Sequence, residues 1–145
     1  MEFKDKGKPK EGARHDPQHD LPQRLRMKVG KMKKVKITIL KTTLDKELAA
    51  EYGIDGLTAC PMMKAGDVFY ADYAKPQGFC DEAWKAIYQY VFALAHGADK
   101  SLFYYGDWIK KPGVAIVSCN DGLRPVIMKL EATDEESKID YEPVQ

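Results

Sequence analysis

Polar and apolar residues alternate from Val35 to Leu40, so that Val35, Ile37 and Ile39 share one side of an extended segment. This pattern predicts a strand with a buried face. Thr43 reads as an N-cap for a short helix through Leu44 to Tyr52, with Gly53 where a glycine closes a helix. Residues Ile54 to Lys64, with Gly56 and Pro61, predict a turn-rich loop, and Gly66 to Tyr70 a turn entering a short strand. After a second loop at Lys75 to Gly78, the residues Trp84, Ile87, Tyr88, Val91, Leu94 and Ala95 recur at helical spacing, with Gly97 as the stop. Val114–Cys119 and Pro125–Glu131 are strand-like runs separated by Asn120-Asp121-Gly122, which predicts a hairpin. Pro125 lacks an N–H and belongs at a strand start or an edge. The expected class is α+β: a small, at least partly antiparallel sheet packed against one long helix, with a shorter one beside it.

The chain has 145 residues, 44% of them apolar and 31% charged, with a net charge of +1, which suits one small globular domain. The total hides an uneven distribution. Residues 1–34 hold eleven Lys or Arg against five Asp or Glu, residues 35–130 hold eleven of each, and residues 131–145 hold one against six. The sequence thus divides into a basic arm at 1–31, a body at 32–131 and an acidic tail at 132–145. The arm has no helical or strand period and is expected to be extended by itself. No aromatic residue alternates with its lysines beyond Phe3, so a stacking surface for nucleic acid is missing. Its expected role is to lie against the acidic tail or a second copy of the chain, giving a homo-oligomer. The longest apolar run lies within Tyr88 to Ala95, too short to span a bilayer, and no apolar stretch follows the basic start. The expectation is a cytoplasmic protein with no membrane partner.

Three cysteines, Cys60, Cys80 and Cys119, make an odd set without an export signal, which argues against a disulfide framework. Each falls at an expected element boundary, where sites are built. None of the spacings is a Cys-x-x-Cys, and a free cysteine is also an ordinary small core residue.

The blocks Ala59-Cys60-Pro61 with Gly66-Asp67-Val68-Phe69, then Pro76-Gln77-Gly78-Phe79-Cys80 before Ala83-Trp84, then Val117-Ser118-Cys119 with Pro125-Val126, resemble a family of small uncharacterised three-cysteine proteins found mainly in anaerobic bacteria and archaea. The resemblance covers the body and leaves both charged ends outside. In those relatives each block carries a cysteine, which implies a joint role for Cys60, Cys80 and Cys119. It implies no reaction. Many relatives have Gly-His after the Cys-Pro, where this chain has Met62, Met63 and Lys64, so a histidine ligand from that loop is missing.

Three thiolates are soft ligands for an iron–sulfur cluster, for zinc or for copper(I). Zinc or a cubane cluster asks for a fourth ligand. His96 lies sixteen residues beyond Cys80 on one expected helix, about 24 Å away, and His15 and His19 flank Pro17 in the arm. The fourth position therefore falls to water, a substrate, Asp67, Asp81, Asp121 or another subunit. Lys64 and Arg124 stand near cysteines in sequence and offer counter-charge, while Trp84, Tyr88 and Phe92 offer shielding. Three functions remain open: a metal protein, most directly iron–sulfur, with a redox or ligand-binding role and a redox protein partner; a thiol enzyme or redox switch with Cys80 as nucleophile at a helix start; and an assembly module with structural cysteines. Tyr104, Tyr105 and Trp108 form a further aromatic group that suits an interface or a pocket wall.

Overall fold

A computed structural model describes residues 32–98, 106 and 108–139. Contacts separate Met1–Gly30 from Lys31–Gln145, and the expectations for the basic arm, for His15 and His19, for Tyr104 and Tyr105 and for the last residues of the tail lie outside the described residues.

The elements run β1 (Lys33–Thr42), α1 (Lys46–Tyr52), β2 (Val68–Ala71), α2 (Asp81–Ala95), β3 (Val114–Ser118) and β4 (Val126–Glu136). The four strands form one antiparallel sheet in the order β2-β1-β4-β3. The α+β expectation agrees with this arrangement. Register explains the core: Ile37 pairs with Phe69 on one side and Leu130 on the other, and Leu130 pairs onward with Ala115. A period of two therefore lines up Val35, Ile37 and Ile39 with Val126, Met128 and Leu130, and α2 lays Ala83, Ile87, Val91, Leu94 and Ala95 over them. Burying each of the larger side chains is worth roughly 1.5–3 kcal/mol.

The helix lies as its spacing predicts, but its buried stripe is narrower. Tyr88 and Phe92 are 40% and 44% exposed and Trp84 is half-buried, because the sheet covers only the Ala83–Ile87–Val91–Leu94 line. The displaced aromatics pack on one another instead, with Tyr73 against Tyr88, Phe92 and His96. The N-cap of α1 is Asp45, not Thr43: Asp45 accepts the Leu48 N–H through Oδ1 at 3.0 Å, while the Thr43 hydroxyl is taken by the Pro125 carbonyl. Pro125 sits just before β4, and Gly53 closes α1 with its N–H on Ala49 O at 2.9 Å. Strand β4 continues past Glu131, so Ala132–Glu136 belong to the sheet; Lys34 Nζ meets Glu135 Oε1 at 2.7 Å and the Thr133 hydroxyl donates to Lys34 O. Beyond it, Asp72 accepts from the Ser137 hydroxyl and the Lys138 N–H, tying the strand end to the residue after β2. Among the described residues no helix is long and apolar enough to cross a membrane.

Candidate three-cysteine site

Each cysteine is placed by a different anchor. Met63 is 4% exposed in the core, and the loop it belongs to is fastened to β1 by Gly66 N–H on Ile39 O and Ile39 N–H on Asp67 O. This fixes Cys60, three residues earlier. Phe79 is also buried, edge-on to Phe69 and Trp84, so the next residue, Cys80, becomes the N-cap of α2. Its side chain makes no capping hydrogen bond, and its carbonyl accepts the Trp84 N–H. Cys119 follows β3, and its main-chain N–H donates to Val126 O while its Sγ accepts the Val126 N–H at 3.4 Å.

The turn after Cys119 is built by Asp121, whose Oδ1 accepts the N–H groups of Leu123 and Arg124 at 2.9 and 3.1 Å. Its Oδ2 receives Arg124 Nε at 2.9 Å. That bond holds the Asp121 carboxyl below its usual range against a smaller opposing effect of burial, with the two backbone N–H groups adding to it. Asn120 reaches across to donate to the Glu82 carbonyl at 3.4 Å, joining the β3–β4 turn to the first turn of α2.

These anchors bring all three cysteines to one open cavity of about 310 Å³. Met62 and Glu82 line it beside Cys60 and Cys80, and Asn120, Asp121 and Arg124 line it beside Cys119. The thiols are free and partly buried, and all three also touch the hydrophobic core. Arg124 is held cationic first by its hydrogen bond to Asp121, opposed by partial burial, then by the Coulombic pull of Asp121, Cys60 and Cys119.

Other sequence candidates lie elsewhere. Asp67 is used by the Lys64 N–H, Asp81 by Lys75 at 2.6 Å, and neither lines the cavity. Lys64 does not line it either. His96 caps the far end of α2, stacked on Phe92. Of the proposed aromatic shield only Trp84 stands next to a cysteine-bearing turn, while Tyr88 and Phe92 follow the helix away. Among the described residues no three His, Cys, Asp or Glu side chains are gathered as a bound metal ion requires. The sequence reading missed Asn120 and Met62; Asn120 was visible only as a turn residue, and nothing in the local spacing marks Met62. Comparison with known proteins finds no matching family model, no matching curated protein and no matching solved structure.

Proposed function

We propose that Cys60, Cys80 and Cys119 together hold a soft-metal cofactor, an iron–sulfur cluster in the first instance, with a position left open for a ligand and with electron transfer to a redox protein partner as the alternative use. The observation that carries this reading is the arrival of all three cysteines, from a loop, a helix start and a hairpin, at one cavity. The donor set is all sulfur, with no histidine among it, which suits soft metals. A mononuclear zinc site needs thiolates within about 4 Å of one another around bonds of ~2.3 Å. A cluster spreads its thiolates over more than one iron and so accepts wider spacing than a single zinc ion.

A second reading has its own support. Cys60 and Cys119 line one cavity with Arg124, an arrangement that suits a pair of thiols cycling with a disulfide. Anaerobic purification, iron, sulfide and zinc analysis and an absorption spectrum decide between them. The cluster predicts stoichiometric iron and sulfide with a broad visible band, lost when any one cysteine becomes serine. Folded, colourless and metal-free protein overturns it, and a Cys60–Cys119 disulfide formed under mild oxidation then supports the thiol switch.

A further inference from the structure

The cavity has a mixed lining. Met62 and the three thiols are soft and weakly polar, Arg124 and Asn120 bring a guanidinium and an amide, and Glu82 and Asp121 bring carboxylates. From this mixture we infer that the pocket recognises a small organic monoanion, its carboxylate against Arg124 and Asn120 and its apolar or sulfur-bearing body against Met62 and the cysteines. The inference rests on the same pocket as the proposal above, with its thiols free of metal.

The charges around the cavity support it. Glu82 pairs with Lys85 at 2.6 Å, both side chains about two-thirds exposed. Asp121 spends one oxygen on two backbone N–H groups and the other on Arg124 Nε. Arginine has five N–H donors in a planar fork, and Arg124 gives its Nε–H to Asp121. The Asn120 amide donates to Glu82 O at a long 3.4 Å. One partly compensated cation suits a singly charged carboxylate better than a phosphate dianion, and arginine binds carboxylates in a bidentate, charge-assisted way. At about 310 Å³ the cavity is at the small end of ligand pockets, which limits the ligand to a few heavy atoms.

The test uses the metal-free full chain, with folding checked by circular dichroism. Rates of alkylation of Cys60 and Cys119 by iodoacetate and by iodoacetamide are measured by mass spectrometry, on the folded chain and on the same chain in urea. In each reaction the thiolate sulfur forms a bond to carbon and iodide leaves. The iodoacetate-to-iodoacetamide ratio is expected to be about tenfold higher in the folded chain, the size of one charge-assisted hydrogen bond. Arg124→Gln should return it to the unfolded value and Arg124→Lys should keep part of it. Should the glutamine variant fail to fold, protection of the wild-type thiols from iodoacetamide by propionate against propionamide gives the same answer. Equal ratios folded and unfolded, a preference that survives Arg124→Gln, or equal protection by the two compounds overturns the inference and leaves the cofactor proposal standing. Failure to load iron or zinc undoes the cofactor proposal and leaves this one.

Discussion

Arg124 donates from Nε to Asp121 Oδ2 at 2.9 Å across a single turn, while the other oxygen of Asp121 receives the N–H groups of Leu123 and of Arg124 itself. One carboxylate therefore shapes the turn after Cys119 and orients the cation of the cavity. Asp121→Ala removes both duties and should cost about 1–2 kcal/mol at pH 7. Asp121→Asn keeps the turn acceptor and loses the ion pair, whose partners are each about a third exposed, so it should cost less than about 1 kcal/mol. Because the Asp121 carboxyl titrates below its usual range, its ionic contribution is complete above about pH 4 and is lost as pH falls through the depressed value. Urea denaturation at pH 7 and in acid should show the gap between wild type and Asp121→Asn narrowing only on the acid side; a gap that widens there contradicts the assignment.

The sheet core has a sharp inside and outside. Ile37 is fully buried between Phe69 and Leu130, whereas Ile116 on β3 is 45% exposed. Ile37→Ala should lose about 2–5 kcal/mol and Ile116→Ala about 1 kcal/mol or less. Chemical denaturation midpoints measure both, and equal losses would mean that the register has been assigned to the wrong face.

At Gly53 the issue is space and not backbone conformation, since its φ is −81°. A Cβ there would stand 2.6 Å from Ala49 O, the carbonyl that accepts the Gly53 N–H. Gly53→Ala should destabilise by about 1–3 kcal/mol by forcing the end of α1 open. Gly122 has nothing within 4 Å of the added carbon, so Gly122→Ala should lower the thermal midpoint far less.

The Asp72 contacts with Ser137 and Lys138 predict a local effect. In Asp72→Ala the Lys138 amide should lose its hydrogen-exchange protection, while amides in the middle of the β1–β4 ladder keep theirs. Unchanged exchange at Lys138 would show that the contact contributes nothing.

The fold was legible in the sequence wherever periodicity was strict. Val35–Ile39, the Ile87–Val91–Leu94 line and the runs flanking Asn120-Asp121-Gly122 all lie in the elements their spacing predicts. Legibility failed where a distant partner decides. Thr43 looked like a cap, but its hydroxyl belongs to Pro125, 82 residues away. Ala132–Glu136 looked like an acidic tail because the apolar alternation stops after Leu130 and Asp134, Glu135 and Glu136 follow one another; only pairing with Lys33 and Val35 makes them a strand. For the site, the spacing of Cys60, Cys80 and Cys119 carried no signal of convergence. That depends on Met63 and Phe79 being buried beside two of them and on Asn120 bridging to Glu82, none of which is a local property.

Leu130 pairs with Ile37 from 93 residues further along the chain, and Cys60, Cys80 and Cys119 all lie within the span that this pairing closes. A long-range closure of this kind carries a loop entropy that must be met before the cavity exists at all. A ligand that needs the assembled cavity therefore binds the finished fold and not its precursors. A ligand present at a hundred times its dissociation constant would add about 2.7 kcal/mol to the apparent stability, so ligand supply and the surviving fraction of folded chain become two readings of a single equilibrium.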